Sequence, residues 1–291
     1  MNLKEGMTYS HEHVAIDLSG IKKNEDCRLD CFEDTLEEFK ELNEKGVGNI
    51  IDLTNRGMGR RISYMEEMTI KSGLNILFAT GFYKEPFLPS EAYTLEEREL
   101  TRIMINEIEE GIDGTYNKAS IIGEIGSSKD EITPIERKIF NASCRAHIET
   151  GAPIITHTTL GTMALEQIEI FKEYSVDLDR VIISHVDLSG SLDYILRIID
   201  KGVNVAFDTI GKENYQPDGL RIDMLKELDR RGLSEKVLLS MDITRKSAFK
   251  ARGGPGYAYL LDTFLPALKE AGVSDKAIEN MTDKNIRRIV K

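Results

Sequence analysis

The stretch Thr8-Tyr9-Ser10-His11-Glu12-His13-Val14-Ala15-Ile16-Asp17-Leu18 holds two of the five histidines in a chain of 291 residues. Side chains at i and i+2 of a β-strand share a face, so a strand here points both imidazoles the same way. Two convergent imidazoles are half of a metal site. The plain alternative is a polar strand end that happens to carry two histidines. The remaining histidines bear on the choice. His157 closes Ile154-Ile155-Thr156-His157-Thr158, and His185 closes Val181-Ile182-Ile183-Ser184-His185, each at the C-terminal end of an apolar run. His147 lies instead in the helical stretch Ser143-Cys144-Arg145-Ala146-His147-Ile148-Glu149 and is read as helix packing or surface.

Carboxylates occupy the same kind of position. Glu124 falls in Ile121-Ile122-Gly123-Glu124-Ile125-Gly126, and Asp242 in Leu238-Leu239-Ser240-Met241-Asp242-Ile243-Thr244. Hard and borderline divalent cations favour such oxygens beside imidazole. An Asp after an apolar strand is commonly a cap or turn residue, and Asp52, Asp187 and Asp208 are read that way. Cys27 and Cys31 have no second ligand pair of zinc-site spacing and are left outside the site.

Residues this far apart in sequence need elements that gather them. Short apolar runs rich in β-branched residues predict strands at 9–18, 49–55, 75–82, 119–127, 153–158, 180–187, 204–210 and 236–244. Amphipathic patterns between them predict helices, among them 32–45, 95–111, 134–150, 163–174, 192–201 and 221–231. Thr133-Pro134 with Glu136 has the spacing of a capping box, as does Thr94 with Glu97. Gly46, Gly151, Gly202 and Gly232 stand where left-handed caps end helices.

Eight strands alternating with helices predict an α/β fold, a (β/α)8 TIM barrel formed by residues 1–291 as a single domain. A doubly wound open sheet is the alternative, but no GxGxxG loop follows the first strand. Barrel active sites form at the C-terminal ends of the strands, so His11, His13, Glu124, His157, His185 and Asp242 would meet at one mouth. Strand 8 neighbours strand 1 in a closed barrel, which sets Asp242 beside His11 and His13 and apart from the other aspartates.

The net charge is −12, with acids interspersed among Lys and Arg. That is the opposite of a nucleic-acid footprint. There is no signal-like N-terminus and no apolar run of the roughly 20 residues that span a bilayer. A cytoplasmic protein without a membrane partner is expected, and three cysteines suit a reducing compartment. The absence of tryptophan argues against a large aromatic-lined pocket.

With HxH on strand 1, a carboxylate on strand 4, histidines on strands 5 and 6 and an Asp on strand 8, the chain resembles the amidohydrolase superfamily. Within it, the chain is similar to the phosphotriesterase family. The likeness runs through Asp17-Leu18-Ser19-Gly20, Leu53-Thr54-Asn55-Arg56, residues 108–114, Gly123-Glu124-Ile125-Gly126 and Leu239-Ser240-Met241-Asp242-Ile243-Thr244-Arg245. It implies two divalent metal ions per chain, zinc being the first expectation. His11, His13 and Asp242 would hold the more buried ion, and His157 and His185 the more exposed one. Many members bridge the ions with a carboxylated lysine at the end of strand 4. Here the matching segment offers Glu124, while Lys118 precedes the strand and Lys129 follows it. Glutamate supplies the same two oxygens and negative charge, as in one subgroup of that family, and the departure argues against phosphotriesterase activity proper.

A binuclear centre activates a bridging hydroxide near neutral pH, and Asp242 would accept and shuttle the proton. The expected function is a metal-dependent hydrolase of a small polar ester, lactone or phosphoester. Phosphorylated sugar lactones are substrates of family members that resemble this chain. Arg245, Lys246 and Tyr257 in the loop after strand 8, with Lys212 and Tyr215 after strand 7, form a candidate site for an anionic small-molecule substrate. Arg245 and Lys246 read equally well as surface residues paired with nearby acids. Phe82-Tyr83-Lys84-Glu85-Pro86-Phe87 is read as a cover for the site or a homo-oligomer contact. A catalytically silent barrel with a structural metal site and a ligand- or partner-binding role is the alternative function. A Schiff-base aldolase is disfavoured, since no lysine ends a predicted inner strand. Glu12 is expected to point away from the barrel centre.

Overall fold

All eight apolar runs form strands, and the strands are parallel neighbours in sequence order within one sheet. They are β1 (Met7–Glu12), β2 (Val47–Asp52), β3 (Asn75–Thr80), β4 (Ala119–Ser127), β5 (Ile154–Thr158), β6 (Val181–Ser184), β7 (Asn204–Phe207) and β8 (Val237–Leu239). The structure is a computed structural model that describes residues 3–291. Helices α1 (Phe32–Glu44), α2 (Ile62–Ser72), α3 (Glu97–Glu109), α4 (Pro134–Thr150), α5 (Ala164–Glu173), α6 (Leu192–Ile199) and α7 (Asp218–Arg230) return the chain between strands. The architecture is a nearly closed (β/α)8 TIM barrel.

Helix α4 shows how sequence sets the boundaries. Thr133 accepts from the Glu136 backbone N–H, Glu136 Oε2 accepts from the Thr133 N–H, Pro134 opens the helix and Gly151 ends it at φ 71°. The second predicted box is displaced. Thr94 closes a short helix, Ser90–Thr94, and the reciprocal box before α3 is made by Glu96 and Glu99. Helix α2, the strand Arg28–Leu29 that pairs antiparallel with Ile16–Asp17, and the helical C-terminal region lie outside the elements read from sequence.

The predicted strands run too long at their C-terminal ends. The 9–18 run leaves the sheet after Glu12, and the 236–244 run leaves it after Leu239. Between β1 and β8 the described residues form no ladder, and individual side-chain and backbone hydrogen bonds close the seam. Ser10 Oγ donates to the Leu239 carbonyl at 3.5 Å, His11 N donates to Ser240 Oγ at 3.1 Å, and Asp242 N donates to the His11 carbonyl at 3.2 Å.

Inside the barrel, Ile51, Leu77, Ile121, Ile155, Ile182, Ala206 and Leu238 pack as an apolar layer. Ile286, Ile289 and Val290 at the C-terminal end of the chain close it from below. Asn285 Nδ2 ties this plug down by donating to the carbonyls of Ser234 and Val237 at the start of β8. The opposite mouth is therefore the end left open for chemistry.

Candidate metal centre

The mouth collects the polar residues that the apolar layer excludes. His11 ends β1 with His13 just beyond it, Glu124 is on β4 and His157 on β5. His185 follows β6 and Asp242 follows β8, both in the left-handed region at φ 60° and 48°. Such a conformation costs a non-glycine residue about 1 kcal/mol or more and concentrates where side chains must be aimed. Two register shifts do similar work: one in β1 between Tyr9 and Glu12, the other in β4 between Ile122 and Ile125. The second turns Glu124 into the mouth although Ile121 already faces the barrel interior. A Cβ on Gly123 would lie 2.6 Å from the Ile155 carbonyl oxygen, so this passage needs glycine.

Glu124 is the centre of the arrangement. Its Oε1 is 3.4 Å from His13 Nε2, and its Oε2 is 3.5 Å from His11 Nε2, 3.1 Å from His157 Nδ1 and 3.7 Å from His185 Nε2. Asp242 Oδ1 stands 3.4 Å from His13 Nε2 and 3.8 Å from His11 Nε2. Ligand atoms on a tetrahedral ion with bonds of about 2.1 Å lie roughly 3.4 Å apart, the spacing seen here. The Nε2 atoms of His11 and His13 are buried with no hydrogen-bond partner, a costly state for a polar atom unless something binds there. Two groups able to hold a divalent ion result, His11–His13–Glu124 and Glu124–His157–His185, and they share the glutamate.

The far sides of the rings are engaged. His11 Nδ1 lies 2.9 Å from Asp208 Oδ2 and 3.0 Å from Ser184 Oγ; His13 Nδ1 lies 2.9 Å from Thr54 Oγ1. Asp208 Oδ1 lies 2.7 Å from His185 Nδ1 and accepts the His185 backbone N–H at 2.9 Å. One buried carboxylate thus orients a histidine of each group, the usual outer support of a metal-ligating imidazole. A third metal-capable group, His11–His185–Asp208, is this same hydrogen-bonding arrangement.

Electrostatics explain why the cluster calls for cations. Burial disfavours charged imidazoles, yet Asp208 and Glu124 outweigh it and hold His11 at about 9. Asp242 and Glu124 likewise outweigh burial and hold His13 at about 10. For His157 burial wins over Glu124 and leaves it at about 4. Burial raises the Asp242 carboxyl, but the Lys212 ammonium and the neighbouring histidines hold it below the ordinary carboxylate range. Its Oδ2 is ion-paired with Lys212.

Glu12 turns out of the barrel, as expected, but it is not idle. Its buried carboxylate accepts from Ser240 Oγ at 2.7 Å and from the backbone N–H groups of Met241, Asp242 and Ile243 at 2.7, 3.3 and 3.0 Å. Burial pushes its carboxyl up to about 7 against the Ser240, Ile243 and Met241 donors, with the Asp242 charge adding to the rise. The residue between the two histidines therefore fixes the turn that carries Asp242.

Above the cluster opens a cavity of about 510 Å³, lined among others by Tyr83, Lys84, Leu160, Lys212, Tyr215 and Arg245. Tyr83 Oη is 3.2 Å from His157 Nδ1. Of the candidate substrate contacts, Arg245 faces this cavity. Lys246 does not: it pairs with Asp30 at 3.0 Å. Tyr257 is fully buried, its hydroxyl donating to the His13 carbonyl and its own carbonyl accepting from Tyr9, so it braces β1 and cannot meet substrate. Asp208, read from sequence as a turn residue, belongs to the site; its position two residues beyond the inward-facing Ala206 was the available signal. His147 packs within its helix, Nδ1 2.8 Å from the Ala152 carbonyl and Nε2 accepting from Asp177 N–H. Cys27 is buried and Cys31 accepts from Arg252, both outside the metal-capable groups.

Known proteins share this arrangement of chain. The chain is 49% identical over 280 residues to the Phosphotriesterase homology protein of Escherichia coli (strain K12), covering 96% of each. The crystal structure of the Escherichia coli protein complexed with phosphate in its active site superposes with a TM-score of 0.97 at 48% identity, covering 99% of both chains. An Aryldialkylphosphatase of Saccharolobus solfataricus is 30% identical, covering 97% of this chain and 94% of that protein. A Phospho-furanose lactonase of Mycoplasmopsis synoviae is 31% identical, covering 99% of this chain and 88% of that protein. The Phosphotriesterase family profile matches residues 2–290, and the chain belongs to that family.

Proposed function

We propose that this protein is a metal-dependent hydrolase of a small anionic ester, with a phosphorylated lactone as the leading substrate class and phosphoesters next. The observation that carries the reading is the pair of buried, partnerless Nε2 atoms of His11 and His13 facing Glu124 and Asp242 beneath an open cavity. His11, His13 and Asp242 would hold one divalent ion, His157 and His185 a second, with Glu124 between them. Zinc is the first choice for such His and carboxylate donors. When bound, the two ions supply a Lewis acid and lower the pKa of a shared water.

The chain's own residues do the rest. Asp242, next to that position and kept ionised by Lys212, accepts the proton of the attacking water and returns it to the leaving oxygen. Lys212 and Arg245, both lining the cavity, receive the substrate's anionic group, and recruiting Lys212 frees the second oxygen of Asp242. Burial, with Glu124 close by, raises the Tyr83 phenol well above its ordinary value. It stays protonated and can donate to a substrate oxygen near His157. The names of the Phospho-furanose lactonase and Aryldialkylphosphatase relatives support a hydrolase acting on lactone or phosphoester bonds.

Metal analysis followed by a screen of lactones, phosphorylated sugar lactones and phosphoesters against metal-loaded protein tests the reading. About two ions per chain and turnover of an anionic ester are expected. A chain that takes up no metal after supplementation overturns it, and a metal-loaded chain that turns over none of these substrates favours the silent barrel.

A further inference from the structure

Two ammonium groups of the cavity have no part in the chemistry above. Lys22, at the end of the short helix Ser19–Lys22, and Lys84, after β3, both line the cavity. Their Nζ atoms lie 5.7 and 5.6 Å from the centroid of the same ring, Phe87. Lys84 also stands over Tyr83 at 5.8 Å. Aromatic faces hold cations in place without neutralising them.

The acids around Lys84 are already committed. Glu136 accepts through one oxygen from Glu85 N–H and Ser128 Oγ, and through the other from the N–H groups of Ser128 and Thr133. Glu124 is surrounded by the four histidines, and Glu85 accepts from Tyr93 Oη at 3.1 Å. Lys84 Nζ is left donating to the carbonyl of Glu85 at 2.9 Å. Among the described residues neither Lys84 nor Lys22 has a carboxylate within ion-pair distance, whereas Lys212 is matched to Asp242 and Lys246 to Asp30. Burial pulls the Lys84 ammonium below the usual lysine range; the more distant charges of Glu136, Glu124 and Glu85 oppose this and that of Lys22 adds to it. Two like charges against one ring, one of them half-buried, are an arrangement that an anion stabilises.

We infer that Lys84 and Lys22, which share the ring of Phe87, form a second anion subsite, separate from Lys212 and Arg245, which takes a second carboxylate or phosphate group of a doubly anionic substrate. The inference rests on the reading that this cavity admits an anionic ester. It narrows the substrate to a small molecule with an acidic group at each end and the scissile bond between them.

Calorimetric titration of the metal-loaded protein with α,ω-alkylene bisphosphonates of graded length, against alkylphosphonates of matched length, tests it. At one chain length the bisphosphonate should bind roughly tenfold tighter than its partner, the worth of one charge-assisted hydrogen bond in a half-exposed site. K84M should abolish that gain, K22M should reduce it and K84R should retain it, while alkylphosphonate affinity stays unchanged in all three. Retention in K84R separates charge from any folding defect of K84M. No gain at any length, or a gain that survives K84M, overturns the subsite. R245M and K212M probe the other end. If they leave alkylphosphonate binding unchanged while K84M still removes the gain, the first anion assignment fails and the second subsite stands.

Discussion

The two ends of the barrel solve opposite problems with the same eight strands. At the floor, Ile51, Leu77, Ile121, Ile155, Ile182 and Leu238 meet Ile286, Ile289 and Val290 in a dry layer with no polar atom to satisfy. At the mouth, four histidines and three carboxylates are nearly as buried, yet two ring nitrogens lack partners and two residues carry left-handed backbone. Each left-handed residue has its N–H caught by a buried carboxylate, His185 by Asp208 and Asp242 by Glu12. Left-handed ligands and unpartnered ring nitrogens at the mouth, over an apolar layer at the floor, fit a scaffold that stabilises a reactive site from a distance.

The largest expected effects break the mouth alone. Asp242→Asn removes the proposed proton acceptor and should lower kcat roughly a thousandfold while most of the metal is retained. Because it also leaves Lys212 without its charged partner, the melting temperature should fall by a few degrees; an active Asn variant removes the assignment. Glu124→Gln leaves one anionic bridge oxygen fewer and should lower metal content towards one ion per chain, read by elemental analysis. Two fully occupied sites in that variant count against the bridging role.

At the floor the signs reverse. Ile286→Ala deletes a side chain buried in the apolar layer and should cost about 3 kcal/mol of unfolding free energy in urea. Metal content and kcat at room temperature should match the wild type. A matching loss of activity would mean that the two ends are mechanically coupled and that the division drawn here is wrong.

How much of this division was legible depended on regular geometry. The eight strands and most helices followed from hydrophobic period, and His157 followed from simple alternation with Ile155, which faces the floor layer. The floor plug was not legible, since Ile286 and Ile289 read only as a short amphipathic end with no indication of what they cover. At the mouth, alternation alone would have turned Glu124 and His185 the wrong way. A register shift re-aims the first and a left-handed residue the second. Their positions at strand ends were readable; their orientation was not. Tyr257 and Lys246 failed for another reason. The loop after β8 folds back, burying one against β1 and pairing the other with Asp30, long-range contacts that no local pattern encodes.

Glu12 joins the two regimes, being a buried structural carboxylate that holds an active-site turn. Glu12→Gln replaces one acceptor oxygen by an amide NH2 donor that faces backbone N–H groups. Activity should fall about tenfold through misplacement of Asp242, with little change in KM. The discriminating measurement is the double variant. In the Asp242→Asn background, Glu12→Gln should cost no further activity, because both act through one carboxylate. Additive losses would make Glu12 a general packing residue.

The smallest effect sharpens the comparison through one residue type. Burial is the largest influence on all three and lowers them; at the mouth histidines His11 and His13 the surrounding carboxylates together outweigh it, whereas at His147, on α4, burial prevails. Neutral His147 donates through Nδ1 to Ala152 and accepts through Nε2 from Asp177 N–H. Protonation turns that acceptor into a donor facing a donor. Its folded pKa lies below the unfolded value of about 6.5, so the unfolded chain binds the proton first. Stability should be unaffected by this group above that value, and should fall as pH drops from there towards the folded pKa. His147→Gln removes the titration. The difference in urea midpoint between wild type and variant, taken at each pH so that the mouth groups cancel, should therefore shrink as the pH falls through this window. A difference that stays flat would show that His147 accepts its proton in place, and that the acid sensitivity of the fold arises from other groups.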